Sequence, residues 1–565
     1  MNALVPLPVI LPLLGTGATL MLSRRPRIQR LVSMSVLAAV VVVSGWLLYA
    51  VDRHGPQVLW VGGWPEPLGI SLVADRLSAL MLVVSSLVTL AVLAFSIGQR
   101  MTGEDQEKTP VSVYHPTFLV LVAGVSNAFL SGDLFNIFVS FEMLLFASYV
   151  LLTLGGTEPR ARAGTIYVVV NMLSSALFLV AIASVYAATG SLNLAQLAQR
   201  LPTLDPQVSL VLQLLLLTTF AIKAAVFPLG FWLPDSYPTA PAPVTAVFAG
   251  LLTKVGIYAI IRTQTLLFPG SALTDLFLWA ALVTMIVGIL GAIAQTDIKR
   301  MLSFTLVSHI GYLVLGVGLA TPTGLSGAIF YVAHHITIQT ALFLVVGLIE
   351  FRAGSTSLLR LGGLARLSPM LAILFFVPAM NLAGIPPMSG FIGKVGMLQG
   401  GLQQGSALAF ALVIGGVVTS LLTLYAVVRT WSLAFWRTPE QARDLTATLP
   451  EMGREAGVVA EGADVVAHRG HVHVGPVTVG VRELEEAMRL QSDEEPDRDL
   501  YQLLKDDDLP HRVPRAMAVP ALALVGMSLV FTVIAGPLYA YTDRAAHDLR
   551  TPSVYVDSVL SGSRR

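Results

Sequence analysis

Seven ionisable side chains lie inside long apolar stretches of this sequence, where each can take up and release a proton. The stretch DLFNIFVSFEMLLFASYVLL carries an acid near its middle, and lysines and histidines stand in similar surroundings elsewhere. These residues are Glu142, Lys223, Lys254, His309, His334, His335 and Lys394. Ionisable groups at bilayer depth are costly and usually mark a path for ions or protons. The predicted chemistry is therefore transfer of protons or cations through the interior of a membrane protein.

Two of the lysines lie close to prolines. Pro228 follows Lys223 by five residues, and the pair Pro386 and Pro387 precedes Lys394. Proline removes a backbone donor and interrupts a helix. Interrupted helices at corresponding positions of two halves are typical of inverted-repeat transporters, whose sites lie near the membrane midplane. The spacing predicts two inverted repeats of five helices, each with a broken helix that carries one lysine.

The elements that hold these residues are predicted from composition. Of the 565 residues, 55% are hydrophobic and only 12% are charged, whereas a soluble domain carries about 25% charged residues. Apolar runs of about 20 residues, each long enough to cross a bilayer as a helix, recur along nearly the whole chain. We therefore predict an all-α, multi-pass membrane protein with about fourteen transmembrane helices.

The runs and the polar stretches divide the chain into five predicted regions. These are residues 1–110 with helices 1 to 3, residues 111–265 with the first repeat (helices 4 to 8), residues 266–437 with the second repeat (helices 9 to 13), a cytoplasmic polar loop over residues 438–514, and a last transmembrane helix with an outer tail over residues 515–565. Basic residues concentrate in alternate short loops such as SRRPRIQR and EPRARAG. Because positively charged loops stay in the cytoplasm, both termini are predicted to lie outside the cell membrane.

Several kinds of chemistry are excluded or disfavoured. The chain has no cysteine and a net charge of +1. Without cysteine it has no disulfide, no thiolate nucleophile and no cysteine-ligated iron–sulfur cluster. The near-zero charge gives no argument for a nucleic-acid partner. We predict no cofactor and no metal, so that any redox chemistry belongs to a partner.

Other interpretations of the polar residues stay open. His309 with the doublet His334–His335 can ligate a b-type haem, which would make the chain a membrane redox protein with a Soret band. The cluster HRGHVHV at residues 468–474 can bind a metal, although neither cysteine nor an acid stands beside it. Lys254 can instead extend its ammonium to the membrane interface.

Charged residues near the ends of the apolar runs have a simpler interpretation. Water solvates side chains at such positions, so we predict that these groups are solvated helix caps. They are Asp75, Arg76, Asp297, Lys299 and Arg300.

Four segments carry a resemblance to a known family. They are GDLFNIFVSFEMLLFASYVLL, LPDSYPTAPAPVTAVFAGLLTKVGIYAIIR, QTDIKRMLSFTLVSHIGYLVLG and SGFIGK. The sequence resembles the proton-translocating antiporter-like subunits shared by Mrp-type antiporters and respiratory complex I. The segment WVGGWPEPLGISLVADRLSALM is most similar to the D-type subunits of the Mrp-type multisubunit Na+/H+ antiporters.

The resemblance implies a function, partners and a location. The chain is expected to be a membrane subunit of a multisubunit cation/proton antiporter that exchanges cytoplasmic Na+ for external H+ in a bacterial cell membrane. Its expected partners are the other Mrp subunits, A, B, C, E, F and G. The alternative is a proton-translocating subunit of a redox complex, such as complex I or a membrane hydrogenase.

The resemblance also assigns the family's ionisable positions to residues of this chain. From the fifth helix to the twelfth they are Glu142, Lys223, Lys254, His309, His335 and Lys394. One position departs from the family pattern, because relatives often have a lysine four residues after the eleventh-helix histidine and this chain has Gln339. The link between the two halves is therefore expected to depend on His334, His335 or water.

The order of these residues suggests how charge would move. Burial disfavours the charged forms of an acid and a lysine, whereas their proximity favours them. We predict that Glu142 and Lys223 form a responsive pair, that charge passes through Lys254 and the histidines, and that Lys394 is the terminal group.

Overall fold

The computed structural model describes residues 2–64, 66, 68–101, 111–270, 273–444, 471–474, 477–480, 500–505 and 513–562. Long helices dominate, and we number them in chain order. They are α1 (Leu7–Met21), α2 (Pro26–His54), α3 (Arg76–Met101), α4 (Val111–Leu130), α5 (Leu134–Thr153), α6 (Glu158–Thr189), α7 (Pro206–Ala224), α8 (Ala242–Leu266), α9 (Thr274–Ile293), α10 (Ile298–Gly318), α11 (Pro322–Ala353), α12 (Pro369–Ala383), α13 (Ser389–Gln404), α14 (Ala407–Trp431), α15 (Arg515–Val533), α16 (Ala535–Arg550) and α17 (Pro552–Gly562).

These helices confirm the predicted multi-pass, predominantly helical architecture. In the described part of the chain, 12 helices are long and apolar enough to cross a membrane, and α1 and α12 are shorter apolar helices. A helix makes the hydrogen bonds of its backbone groups within its own segment. A segment in lipid needs this because no water is there to bond to. The number of crossings, the inverted symmetry and the five region boundaries stay predictions.

Two helices are interrupted beside the lysines, as the prolines predict. Helix α7 ends at Ala224, and Ala225 adopts a left-handed conformation with φ of 61°. Helix α12 ends at Ala383 before Gly384, whose φ is 85°. Irregular backbone at membrane depth is tolerated where protein buries it. Lys223 lies in the last turn of α7, and Lys394 lies on α13, after the second interruption.

Two short antiparallel hairpins depart from the all-α prediction. The first joins β1 (Gln57–Trp60) to β2 (Ser71–Ala74) between α2 and α3, and the second joins β3 (His471–Val474) to β4 (Val477–Gly480). Strands of four residues are too short to show an alternating pattern, so the sequence did not reveal them. The second hairpin belongs to the predicted polar loop, most of which lies outside the described residues.

Close backbone packing places the interrupted helices against the buried centre of the bundle. Helices α8 and α11 are buried along their apolar windows. A Cβ atom on Gly256 of α8 would lie 2.7 Å from the Ala224 backbone nitrogen, and one on Gly327 of α11 would lie 2.7 Å from the Met397 nitrogen. Small residues at these crossings let the backbones approach. The end of α7 therefore packs on α8, and α13 packs on α11.

The prediction of a solvated cap is wrong for Asp75. Its carboxylate is buried and receives two hydrogen bonds from Arg262 of α8, at 2.6 and 2.9 Å. Its neighbour Arg76 is partly buried and pairs with Asp52 and Asp548. The physical reason is that α2, α16 and α17 cover this end of α3, which short-range sequence patterns do not show.

The charged residues at the start of α10 form a helix cap, but they are also largely buried. Asp297 accepts a hydrogen bond from the Arg300 nitrogen at 2.9 Å and another from the Thr356 hydroxyl. Burial raises the pKa of the Asp297 carboxyl above its usual value. Lys299 pairs with Glu350 at 2.7 Å, and Arg300 pairs with Asp235 at 2.8 Å. The Arg300–Asp235 pair is the more exposed of the two.

Candidate functional site

Glu142 lies two turns into α5, at the edge of the bundle. Asp133 fixes the start of this helix, because its carboxylate accepts hydrogen bonds from the Phe135 and Asn136 nitrogens at 2.8 and 3.1 Å. The Glu142 side chain is half-buried. Its Oε1 atom is buried and has no hydrogen-bond partner among the described residues. An acid in this setting needs a further partner or water.

Lys223 points into the bundle from the end of α7. Its Nζ donates to Ser175 Oγ at 3.0 Å and to the Asn171 carbonyl oxygen at 3.4 Å, both on α6. The same Nζ lies 5.5 Å from the centroid of the Phe141 ring. A small cavity lined by Asn171, Trp232 and other residues borders the ammonium group. Neutral acceptors therefore hold this lysine.

The predicted pair of Glu142 and Lys223 is not a direct ion pair. The two groups interact electrostatically, but no salt bridge joins them in the described part of the chain. The reason is positional, because Lys223 Nζ lies over the Phe141 ring and bonds to α6. A group that bridges the remaining gap must be water or a moving side chain.

Lys254 is fully buried and does not extend to the membrane interface. Its Nζ donates to the carbonyl oxygen of Ala249 at 2.5 Å. That carbonyl belongs to a π-helical turn, Phe248–Leu252, inside α8. The turn fits against α11 because Gly250 has no side chain, and a Cβ atom there would lie 2.2 Å from Thr340 Oγ1. No pattern in the sequence indicates this turn. Turns of this kind are frequent at functional sites.

The three histidines meet around Tyr331 of α11. The Tyr331 hydroxyl and His309 Nδ1 lie 3.1 Å apart, and the ring of His335 stacks on the Tyr331 ring at 5.8 Å. The centroids of His309 and His335 are 5.2 Å apart. His334 Nδ1 lies 3.0 Å from Ser389 Oγ, at the start of α13. The sequence analysis did not identify Tyr331, although it stands one helical turn before the doublet.

His335 is the least constrained member of this group. Neither of its ring nitrogens has a hydrogen-bond partner among the described residues. Both nitrogens of a histidine can bind a proton, and an unpaired one can accept it from water. The rings of His309, His335 and Tyr331 pack on one another.

Gln339 lies one turn further along α11. Its Nε2 donates to the Leu302 carbonyl oxygen at 2.8 Å, and its Oε1 has no partner among the described residues. An amide cannot exchange a proton at neutral pH, so Gln339 can orient water but cannot carry charge. The expected link through the neighbouring histidines stays a prediction.

Lys394 is bound by the end of a broken helix. Its Nζ donates to the carbonyl oxygens of Leu382 and Ala383, both at 3.1 Å. These carbonyls belong to the last turn of α12, where the helix dipole favours a cation. The Nζ also lies 4.9 Å from the centroid of the Tyr312 ring, whose hydroxyl is 2.8 Å from Ser420 Oγ.

Together the seven predicted residues occupy the bundle as an interrupted series. The three lysines and three histidines are buried, and Glu142 stands at the edge. In the described part of the chain, no hydrogen bond joins one lysine to the next. The role of these residues in proton transfer stays a prediction, and a direct hydrogen-bonded chain between the lysines is not present in the described structure. Among the same residues there is no group of three or more His, Cys, Asp or Glu that can hold a metal ion, and His468 of the predicted cluster lies outside them.

Comparisons with known proteins place this arrangement in a family. Residues 131–423 match the family described as NADH:quinone oxidoreductase/Mrp antiporter, transmembrane. The chain is 41% identical over 452 residues to the D subunit of the Na(+)/H(+) antiporter of Alkalihalophilus pseudofirmus, covering 78% of this chain and 90% of that protein. It is 40% identical over 440 residues to the corresponding D subunit of Bacillus subtilis, covering 77% and 87%.

Solved structures show the same architecture. A chain of the Mrp complex from Dietzia sp. DQ12-45-1b matches with a TM-score of 0.81 and 32% identity over 99% of both chains. A chain of the membrane-bound sulfane sulfur reductase, an archaeal respiratory membrane complex, matches with a TM-score of 0.80, covering 99% of this chain and 100% of the other. Its identity is 24%, so this second likeness concerns the fold alone.

Proposed function

The chain belongs to the NADH:quinone oxidoreductase/Mrp antiporter transmembrane family, and we propose that it acts as the D-type membrane subunit of a multisubunit Na+/H+ antiporter. It is a transporter subunit rather than an enzyme, and it is a multi-pass membrane protein. The observation that carries the proposal is the buried series from Lys223 to Lys394, which begins and ends at interrupted helices.

The series is suited to moving charge in small steps. Burial disfavours the charged form of each lysine, whereas the hydrogen bonds from Lys223 to Ser175 and from Lys394 to Leu382 favour it. Because these effects oppose each other, a small change nearby is enough to make a lysine gain or lose its proton. A membrane potential supplies about 2.3 kcal/mol per charge per 100 mV, which is comparable to modest local shifts.

We assign direction along the series from the Glu142 end to the Lys394 end. A proton that reaches Glu142 removes the electrostatic attraction that holds Lys223 in its charged form. Lys223 then releases charge toward Lys254, and the histidines around Tyr331 pass it to Lys394. Water completes each step, because direct hydrogen bonds between these groups are lacking among the described residues.

Orientation follows from the basic loops. The segment SRRPRIQR lies between α1 and α2, and EPRARAG begins α6. If these loops are cytoplasmic, both termini lie outside a bacterial cell membrane, and the hairpin β1–β2 with α16 and α17 lies on the outer side. Cytoplasmic Na+ then leaves in exchange for external H+.

Partner subunits fit the exposed edge of the bundle. Glu142 is half-buried on α5, and apolar residues of α6 such as Val169 and Leu173 are exposed. A carboxylate facing lipid costs several kcal/mol, roughly 3 or more. A neighbouring subunit that covers α5 removes this cost. We therefore expect the partners to be the Mrp subunits A, B, C, E, F and G, with one of them seated against Glu142.

Copurification tests the proposed complex. The tagged chain is purified by affinity from its native membrane, and the copurified proteins are identified by mass spectrometry. We expect the six other Mrp subunits, without flavin or iron–sulfur proteins. Everted vesicles that contain the complex are expected to show Na+-dependent proton movement. Recovery of flavoproteins with no Na+ response would assign the chain to a redox complex, and a Soret band would favour the haem alternative.

The departure at Gln339 leads to a prediction about His335. His335→Ala is expected to lower Na+/H+ exchange by at least about 100-fold, the usual effect of losing a proton-transfer group. Because neither ring nitrogen of His335 is bonded among the described residues, its loss leaves no orphaned partner and assembly is preserved. Adding Gln339→Lys to this variant is expected to restore part of the exchange.

Thr337→Val serves as the matched control on the same helix, since Thr337 bonds only to the Ala333 carbonyl one turn away in the described structure. This control is expected to exchange at the parent rate. Mild loss in His335→Ala, and also in the double variant with His334→Ala, would show that the path bypasses α11.

A further inference from the structure

A buried ion pair lies near the C-terminal end of α8, away from the series described above. Arg262 donates from both terminal nitrogens to the two oxygens of Asp75, at 2.6 and 2.9 Å. The Arg262 side chain is 2% exposed and that of Asp75 is 9% exposed. Although burial alone would raise the pKa of the Asp75 carboxyl, Arg262 and Ser78 hold it below the usual value.

The pair continues a column of polar side chains on one helix face. Lys254, Tyr258 and Arg262 follow one another at four-residue spacing, which places them on the same side of α8. The Tyr258 hydroxyl donates to the Phe129 carbonyl oxygen at 2.7 Å and accepts from Arg262 at 3.1 Å. With a rise of about 1.5 Å per residue, the column runs about 12 Å from Lys254 to Arg262.

Beyond the ion pair the column meets a cavity at the surface. Its lining includes Asp75, Arg262, Asp548 and Tyr555. Tyr555 of α17 faces the pair directly, with the centre of the Arg262 guanidinium 5.2 Å from its ring centroid. Outside the lining, exposed Arg544 pairs with Asp52 at 3.0 Å. Water that enters this cavity therefore reaches the ion pair before it can reach Lys254.

Helices α16 and α17 pack against the region around the ion pair. Asp548 of α16 pairs with Arg76 at 2.5 Å, and the Tyr541 hydroxyl donates to the Arg76 carbonyl oxygen at 3.0 Å. Tyr555 of α17 adds the ring that covers Arg262. Helices α16 and α17 thus form one wall of the cavity. Helix α16 also holds the start of α3, next to Asp75.

We propose that the Asp75–Arg262 pair, covered by Tyr555, is a gate that seals the column above Lys254 against proton leakage. This inference rests on the proposed function, because it assumes that Lys254 carries protons. Arginine stays protonated in proteins and cannot relay a proton. Arg262 in turn occupies both oxygens of Asp75, so the carboxylate has no free oxygen to accept a proton while the pair is formed. When the pair is closed, a proton on Lys254 cannot escape through this face.

A purely structural role predicts something different. Replacing a buried ion pair by well-packed hydrophobic residues of similar volume is often neutral or stabilising, whereas removing one partner leaves an uncompensated charge. If the pair only joins α3 to α8, a variant without either charge keeps the protein impermeable to protons. If the pair is a gate, the same variant folds but leaks.

The test uses the complete complex in vesicles without Na+. Asp75→Asn combined with Arg262→Met removes both charges with little change in volume, and asparagine keeps the oxygen that accepts from the Ser78 nitrogen. A pH gradient imposed across the vesicles is expected to decay at least about tenfold faster than in the parent, the rate change for a modest fall in a barrier. Arg544→Gln, which removes an exposed charge outside the cavity lining, is the matched control and is expected to hold the gradient as the parent does.

A third substitution locates the leak. Lys254→Leu added to the double variant is expected to restore a tight membrane, because the leak runs through that lysine. A double variant as tight as the parent would overturn the gate, and so would a leak that persists without Lys254. Since the readout needs no Na+, it is independent of the exchange assay, and failure of the proposed function appears instead as a parent complex without Na+-dependent proton movement.

Discussion

Lys223→Ala is expected to abolish Na+-dependent proton movement while leaving the complex assembled. Lys223 lies between the acid at the edge and Lys254 in the centre, and removal of a positioned proton-transfer group typically costs at least about 100-fold in rate. Its ammonium is held by Ser175 and Asn171 rather than by a salt bridge. Alanine therefore breaks no salt bridge and leaves only neutral acceptors on α6 without their donor. The measurement is Na+/H+ exchange in everted vesicles at matched expression.

Glu142→Ala is expected to give the same loss, and the double variant is expected to be no worse than either single one. Residues that act as one unit show non-additive effects. Arg300→Gln serves as a control, because Arg300 belongs to the exposed pair with Asp235 and lies outside the series. Near-normal exchange in Glu142→Ala would remove this residue from the path, and additive losses would show that the two groups act independently.

Lys394→Arg is expected to fold and assemble but to lose nearly all exchange, much as Lys394→Ala does. Arginine keeps the positive charge at the end of α12 and can donate to the Leu382 and Ala383 carbonyls, so the structural role of the lysine is preserved. Unlike lysine, it cannot release its proton. A loss of at least about 100-fold in exchange with normal subunit recovery is the expected result.

Lys394→Glu separates charge from proton transfer at the same position. A protonated glutamic acid can donate one hydrogen bond to either carbonyl and can release that proton, so part of the exchange is expected to remain. The ionised form faces two carbonyl oxygens and the negative end of α12, which keeps the activity below that of the parent. If Lys394→Arg exchanges as fast as the parent, Lys394 is a fixed charge and the relay ends elsewhere.

Properties that depend on neighbouring residues along the chain were predictable from the sequence. Long apolar runs indicate helices that cross a bilayer, because a backbone without water must bond within its own segment. Prolines beside Lys223 and Lys394 indicate interruptions, because proline removes a donor wherever it stands. The buried lysines and histidines were identifiable for a similar reason, since each is conspicuous in an apolar stretch.

Only the tertiary structure decided which of these groups meet. Asp75 and Arg262 are 187 residues apart, and the sequence predicts a solvated cap at Asp75, whereas the bundle buries both side chains. Lys223 lies beside Phe141 and bonds to α6, and three histidines gather on Tyr331, because of where α6, α10 and α11 cross. Hydrogen bonds and ion pairs require contact within a few ångströms, and distances that short between helices far apart in the chain depend on packing that no local pattern records.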